Sequence, residues 1–193
     1  MSERPELDPD AHVLISRASE LFSAAPGNPH SPFRYPVLAT IGRDGSPNAR
    51  ILVLRTADPV AWQAILHTDS RAEKVSELET NDGAMLVFYD HEASLQLRLK
   101  GAIGRNTDNA AREAIWAELP ASTRPNYRAS LPTGSAISAA GDGIDPAVSQ
   151  SGYENFDVLT FSAETVDILQ LSRSGNRRYR LDAALGTGSW LVP

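Results

Sequence analysis

Cysteine is absent from the 193-residue chain. Without thiols the protein cannot form disulfides, use a thiolate nucleophile, carry an iron–sulfur cluster or bind zinc through cysteine. The four histidines show no H-x-x-x-H spacing. The sequence therefore predicts no metal site.

Positive charge and long apolar runs are also scarce. Lysine and arginine total 18 against 24 acidic residues, a net charge of −6, which argues against a nucleic-acid partner because such binding neutralises phosphates with cations. No run approaches the roughly 18 apolar residues of a membrane span. The start of the chain, MSERPELDPD, lacks the apolar stretch of a secretory signal. We expect a cytoplasmic protein with no membrane partner.

Nucleotide and hydrolase motifs are missing as well. No G-x-G-x-x-G follows a strand, and there is no P-loop or nucleophile elbow. The stretch GDGIDP lies within 132–152, a segment rich in Gly, Ser and Ala. We interpret 132–152 as a long flexible loop inside one domain, since too little chain follows it for a second domain.

Hydrophobic residues make up 41% of the chain, enough for the core of a single domain spanning 1–193. The sequence predicts an N-terminal helix and arm over residues 1–34. The helix covers 8–24: Asp8 caps it, and its apolar stripe contains Val13, Leu14, Ala18, Leu21 and Phe22.

Alternating patterns further along predict β-hairpins. The segments read as strands are 35–41, 48–56, 59–69, 83–90, 94–104, 155–162, 165–172 and 176–182, with helices at 70–82 and 106–119. Hairpins interrupted by helices, without βαβ alternation, favour a mainly β fold, an antiparallel barrel with flanking helices.

Arg50 and Arg55 bracket the apolar run Ile51–Leu54. On one straight strand they would lie about 16 Å apart. Their odd spacing requires a bulge or a strand end if one ligand is to touch both. Two solvated arginines flanking a buried strand would give the same pattern.

The segment HTDSRAEK passes from a strand into a helix. Ser70 and Glu73 form a predicted capping box, and the first turn then holds Ser70, Arg71 and Lys74. Free N–H groups and the helix dipole attract phosphate, and the two cations lie on one side of the turn. An ordinary capped helix with surface cations is the alternative.

In SLQLRLKG, polar side chains alternate with leucines, so one face of the strand is polar. Gln96 on that face can both donate to and accept from a ligand's imide edge. A solvated outer face explains the pattern equally well.

Taken in order, these segments resemble the pyridoxamine 5′-phosphate oxidase superfamily, whose fold is an FMN-binding split barrel. The likeness runs over 35–104 and resumes from 155, where GNRRYR echoes the family's last basic strand. It implies an FMN-binding flavoprotein, an oxidoreductase acting on a small molecule, and a homodimer with the flavin at the subunit interface.

The resemblance also assigns roles to residues. Arg50, Ser70, Arg71 and Lys74 would hold the FMN phosphate. The implied contacts of the ribityl chain and ring are Ile51, Leu52, Val53, Leu54, Arg55, His67, Thr68 and Gln96, with Arg178 and Arg180 on the last basic strand and Gln150 and Ser151 from the partner.

The substrate end departs from the family pattern. Leu169 or Leu171 stands where the catalytic oxidases have tryptophan, and Arg180 replaces a histidine. The sequence thus supports FMN binding better than oxidation of vitamin B6 phosphates, and it names no catalytic residue. A non-catalytic flavin-binding or storage module, or an interaction protein without cofactor, remains an alternative.

Overall fold

The computed structural model describes residues 8–106, 108–144 and 151–193. In these residues, antiparallel strands dominate and three α-helices flank them. The helices are α1 (Pro9–Ala24), α2 (Glu73–Thr80) and α3 (Asn109–Glu118); the strands are β1 (Val37–Ile41), β2 (Pro47–Ile51), β3 (Leu54–Asp58), β4 (Gln63–Asp69), β5 (Gly83–Asp90), β6 (Leu95–Arg105), β7 (Phe156–Gln170), β8 (Arg177–Asp182) and β9 (Gly188–Leu191).

The strand order shows how the sheet closes. It runs β2-β1-β5-β6-β7-β4-β3, with β8 pairing the far half of β7 and β9 pairing β8. β2 and β3 are the two ends of this order, yet only Leu52 and Val53 separate them along the chain. Since three Cα steps span at most about 11 Å, the sheet must curl until its two edges meet. The result is a split barrel, as expected from the sequence.

The long strand β7 organises the barrel. It pairs with β6 from Leu159 to Gln170, while its first half pairs with β4 and its second half with β8. The pairing with β6 shifts register after Lys100. At that bulge a Cβ on Gly101 would lie 2.0 Å from the carbonyl oxygen of Ser162, so only glycine fits.

Inward side chains from most strands and from α1 form one core. Asp8 caps α1 by accepting from the N–H groups of Asp10 and Ala11. Phe22 on α1 packs against Trp62 and Phe88, with ring centroids 5.9 and 5.5 Å away. The predicted apolar stripe was wrong at one position: Val13 is 60% exposed, and Ala11 is buried in its place.

Several predicted elements need correction. The strand expected over 48–56 is two strands, because the chain leaves one sheet edge at Ile51 and joins the other at Leu54. The strands expected at 155–162 and 165–172 are one continuous β7, since β6 pairs with it on both sides of the expected break. The tail, assigned no structure, forms β9 against β8. Within 132–144 the chain makes turns and bends without helix or strand, and 145–150 lie outside the described residues.

The start of α2 also differs from the prediction. The helix begins at Glu73 with Ala72 as its N-cap and no side-chain cap, so the Ser70–Glu73 capping box was wrong. Asp69 accepts from the N–H of Arg71 at 2.8 Å, and the N–H of Ser70 donates to the carbonyl of Asn155. These bonds hold Ser70 and Arg71 in a turn before the helix.

No helix among the described residues combines the length and apolarity needed to cross a bilayer.

Candidate functional site

A buried carboxylate on α2 anchors the first cationic group. Glu77 is 1% exposed and accepts from Nη2 of Arg50 at 2.9 Å and from Nδ2 of Asn48 at 2.6 Å. The Thr40 hydroxyl donates to the same carboxylate at 2.6 Å, and Arg50 also donates to Thr40. Burial opposes ionisation, but these hydrogen bonds outweigh it and hold the pKa of Glu77 below its usual value. Arg50 is therefore already neutralised and held in place.

Lys74 is the second residue of α2, and it differs from the neighbouring arginines in having no carboxylate partner among the described residues. Its Nζ donates to the Thr68 hydroxyl at 3.1 Å, and no ion pair within the described ranges includes it. Burial and the positive charge of Arg50 lower the pKa of Lys74, although Asp69 and Glu77 partly compensate. A mostly buried ammonium with one neutral partner is a group that an anion would stabilise.

Arg71 is engaged differently. Its Nε and Nη2 donate to the two carboxylate oxygens of Asp69 at 3.1 and 2.7 Å. Nη2 also reaches the carbonyl of Ala129 at 2.9 Å, which ties the segment after α3 to the end of β4. This bidentate pair neutralises Arg71 and fixes the loop beside Lys74.

Arg55 and His67 lie on the side of the barrel that α3 covers. Together they line a groove of about 460 Å³ between β3, β4, β7 and α3. Nε of Arg55 and Nδ1 of His67 are buried without a hydrogen-bond partner in the described structure. The His67 ring packs edge-on against Phe156, with centroids 5.0 Å apart. Burial, and secondarily the charge of Arg55, lower the pKa of His67 to about 4, so the imidazole is neutral at pH 7.

The cations near α2 and the groove lined by Arg55 and His67 lie close to each other. Burial raises the pKa of Tyr127, with Arg55 opposing the shift and Asp69 reinforcing it, so Tyr127 lies within electrostatic reach of both. Asp69 in turn pairs with Arg71 and lies close enough to Lys74 to influence its pKa. Lys74 also donates to Thr68, the residue after His67 on β4, so the ammonium and the groove adjoin the same strand.

The remaining predicted residues lie elsewhere in the single chain. Gln96 projects from the outer face of β6, in a cross-strand row with Tyr89, Leu169 and Arg178. Arg178 donates to Asp167 at 3.0 and 2.9 Å, and Arg98 and Arg180 donate to the same carboxylate.

Burial disfavours the charge on Asp167, but bonds from the three arginines prevail and lower its pKa to about 2. Arg98, Arg178 and Arg180 thus surround Asp167 on the outer face, and Gln96 lies on the same face of β6, two residues from Arg98.

The predicted apolar contacts at residues 51–54 differ in their exposure. Leu54 is fully buried in the core, Ile51 is 66% exposed on the outer face, and Leu52 and Val53 are half-buried at the junction. The N–H of Leu52 donates to the carbonyl of Pro36. Ser151 donates to Glu154 at 2.7 Å, and Gln150 lies outside the described residues.

Sequence reasoning missed the carboxylates that pair with the predicted cations. Glu77 and Asp69 pair with Arg50 and Arg71, and nothing in the one-dimensional pattern links Glu77 to Arg50, 27 residues away. Asp69 carried a usable signal, because an Asp just before Ser-Arg favours a turn closed by its own side chain. The apolar residues of α3 that line the groove, Ala114 and Ile115, were also not predicted as site residues.

Comparison with known proteins agrees with this architecture. Residues 17–105 match a family model described as "Pyridoxamine 5'-phosphate oxidase, FMN-binding domain". Pyridoxine/pyridoxamine 5'-phosphate oxidase 2 of Arabidopsis thaliana is 29% identical over 179 residues, covering 87% of this chain and 89% of that protein.

A second relative matches over a shorter stretch. Pyridoxine/pyridoxamine 5'-phosphate oxidase of Burkholderia vietnamiensis is 34% identical over 103 residues, 53% of this chain and 41% of that protein. The chain spans about 40% of the length of several such curated relatives.

A solved structure extends the likeness to the whole fold. It is a pyridoxamine 5'-phosphate oxidase-related, FMN binding protein from Nostoc punctiforme, with a TM-score of 0.68 at 24% identity, covering 97% of this chain and 100% of that one. Residues 17–105 are thus similar in sequence to the FMN-binding domain of the pyridoxamine 5′-phosphate oxidase family, and the chain as a whole shares the fold of the Nostoc punctiforme protein.

Proposed function

We propose that the protein binds FMN and serves as an oxidoreductase for a small molecule. The observation that carries this proposal is Lys74, a mostly buried ammonium that donates to Thr68 and enters no described ion pair. A phosphate oxygen beside it would supply the missing negative charge. Arg50, held by Glu77, adds a second donor at the same end.

The groove supports the other end of the cofactor. Arg55 and His67 each have a buried nitrogen without a partner among the described residues, where the carbonyl and nitrogen atoms of a flavin ring would find donors. When bound, FMN would supply hydride transfer at its ring. The roles of this chain are to hold the phosphate at Lys74, to orient the ring edge with Arg55, and to keep a neutral imidazole beside it.

We also propose a homodimer, on the basis of the outer face. Directly paired residues form the row Ile51, Val37, Val87, Arg98, Asp167 and Arg180 across six strands. The row is apolar at one end and charged at the other, and Ile51, Ile41 and Tyr89 on this face are 66, 42 and 48% exposed. A second copy that covered it would bury these side chains and bring Gln96, Arg178 and Arg180 near the partner's flavin.

Flavin binding is tested by titrating the protein with FMN and with riboflavin, which lacks the phosphate, while following quenching of flavin fluorescence. We expect FMN to bind at least tenfold more tightly, with a visible flavin band retained through gel filtration. A protein that shows no flavin band and no quenching after FMN is added would contradict the proposal.

The assembly is tested by light scattering on the variant Ile51→Lys. A charge at the apolar end of this row should convert a dimer to a monomer, whereas Val60→Lys, at an exposed turn between β3 and β4, should leave the dimer intact. A wild-type protein that is monomeric at tens of micromolar would exclude this assembly.

The altered substrate end makes vitamin B6 phosphates poor candidates for the substrate. We expect weak or no formation of pyridoxal 5′-phosphate from pyridoxamine or pyridoxine 5′-phosphate by the FMN-loaded protein. Brisk turnover would overturn this part of the proposal and leave FMN binding untouched.

A further inference from the structure

The helix α3 is attached to the barrel through a cluster of its own. None of the residues of α3 is buried, and Trp116 near its end packs against Tyr127 and Phe156, with ring centroids 5.7 and 5.2 Å away. Arg124 donates to the carbonyls of Trp116 and Ala117 at 3.3 and 3.0 Å and so caps the last turn of the helix. Tyr127 and Phe156 belong to a small buried group separate from the main core. We therefore expect α3 to open at a lower free energy than the core strands.

Asn155, the residue before β7, joins this cluster to the turn that precedes α2. The residue is 7% exposed. Its Nδ2 donates to the carbonyl of Tyr127 at 2.8 Å, and its own carbonyl accepts from the N–H of Ser70 at 2.7 Å. Loss of the bond to Tyr127 would leave a buried amide and a buried carbonyl without partners, which costs free energy. One residue thus contacts both the turn beside Lys74 and the segment on which α3 packs.

Two further contacts tie the same parts together. A Cβ on Gly152 would lie 3.2 Å from the carbonyl carbon of Tyr127, so the chain leading to Asn155 passes directly against this segment. Arg71 donates to the carbonyl of Ala129 at 2.9 Å. The turn before α2 is therefore joined twice to the segment that follows α3, once through Asn155 and once through Arg71.

The anion end of the site adjoins the same turn. Nζ of Lys74 donates to the hydroxyl of Thr68, and the next residue, Asp69, binds Arg71 bidentately. If the segment after α3 moved away, Asn155 and Arg71 would each lose a hydrogen-bond partner, and the turn would lose these restraints. An anion at Lys74 therefore binds better while the segment is in place. By reciprocity, its binding holds the segment in place.

We propose that Asn155 is a positioning residue that couples the anion end at Lys74 to α3, so that an anion bound there holds α3 against the barrel. The bond from Asn155 to Tyr127 carries the coupling, and the bond from Arg71 to Ala129 supports it. The inference rests on the proposed function in taking Lys74 as the partner of the anion. Within that function, the phosphate of FMN closes the cover of the groove as well as anchoring the cofactor.

Hydrogen exchange, measured by mass spectrometry on the full chain without flavin, tests the joint. We expect Asn155→Ala to speed exchange of the α3 amides about tenfold and to leave the amides of α1, which packs on the main core, unchanged. Asn155→Leu keeps most of the side-chain volume but cannot donate, so it should have the same effect. Asn126→Ala makes the matched change at an exposed position of the adjoining turn and should exchange like the wild type. Wild-type exchange of α3 in both Asn155 variants, or equal acceleration in Asn126→Ala, would overturn the proposal.

Inorganic phosphate is the probe for the coupling. Added to the wild-type protein at constant ionic strength, it should slow exchange of the α3 amides about threefold or more and leave those of α1 unchanged. The slowing should disappear in Lys74→Met, which lacks the partner of the anion, and in Asn155→Leu, which lacks the joint. No slowing in the wild type, or equal slowing in the wild type and Asn155→Leu, would contradict the coupling.

Failure of this proposal can be told apart from failure of the proposed function. The FMN and riboflavin titrations of the wild-type protein report on cofactor binding alone. Tight FMN binding, with α3 exchange that responds neither to FMN nor to phosphate, would overturn the coupling and keep the cofactor. Slower α3 exchange in phosphate, without FMN binding, would remove the cofactor and keep the coupling.

Discussion

Glu77 on α2 fixes Arg50 on β2 through an ion pair of 2.9 Å, although Glu77 itself is 1% exposed. The carboxylate also accepts from Thr40 on β1 and Asn48 on β2. One side chain thus joins a helix to two strands and sets where the cationic end of the site lies. Because every oxygen of Glu77 has a partner, its burial is compensated.

Removal of this carboxylate should destabilise the fold. Glu77→Ala leaves Arg50, Thr40 and Asn48 without their acceptor, and we expect a loss of about 3 kcal/mol in the free energy of unfolding. Urea denaturation measures it. The control is Glu79→Ala on the same helix: Glu79 is 59% exposed in its pair with Arg105 and should cost less than about 1 kcal/mol. Equal losses in the two variants would show that the buried network does not stabilise the fold.

Lys74→Met should selectively weaken binding of the phosphate. A charge-assisted hydrogen bond is worth about 1.5–3 kcal/mol, so FMN affinity should fall roughly 10- to 100-fold. Riboflavin affinity should stay within about twofold. Arg43→Met removes one positive charge from the exposed β1–β2 turn and serves as the control. A parallel loss of FMN and riboflavin binding in Lys74→Met would indicate that Lys74 acts on the fold and not on the phosphate.

His67 should make the protein sensitive to acid. Its pKa is lowered from 6.5 to about 4 in the folded protein, so the unfolded chain binds more protons between these values. The free energy of unfolding therefore keeps its full value, as far as His67 is concerned, above pH 6.5. It decreases by up to about 3 kcal/mol as the pH falls toward 4, because protonation of His67 then favours the unfolded chain.

Urea midpoints at pH 7 and pH 4 measure this loss. His67→Gln, which cannot titrate, should show a smaller drop than the wild type, while His91→Gln in an exposed turn should match the wild type. An unchanged drop in His67→Gln would contradict the assignment.

Gly101 should tolerate no side chain. A Cβ there would lie 2.0 Å from the Ser162 oxygen and 2.8 Å from the Ala163 Cα, both backbone atoms that cannot move independently. We expect Gly101→Ala to cost about 3 kcal/mol, read from thermal or urea unfolding. Gly104→Ala on the same strand meets nothing within 4 Å and should be neutral or slightly stabilising. Similar stabilities for the two variants would show that the bulge adapts to a methyl group.

The sequence was sufficient for several local elements. Alternating apolar residues in β5 and β6 predicted both strands, because a half-buried strand requires a period of two. Asp8 and Pro9 marked the start of α1, because free N–H groups at a helix end favour an acidic cap. The succession of hairpins, and not any single motif, indicated the barrel.

The sequence by itself also singled out four candidate ligand-binding cations, Arg50, Arg55, Arg71 and Lys74, from their positions at strand ends and near a helix start. Tertiary structure alone decided which of them are already paired. Glu77 meets Arg50 only because α2 packs beside β1 and β2. The helix α3 lies over Arg55 only because β3, β4 and β7 are neighbours in the sheet and α3 packs on them. Such contacts depend on long-range register and closure, which no local pattern encodes, so the charge remaining for a ligand could be read only from the fold.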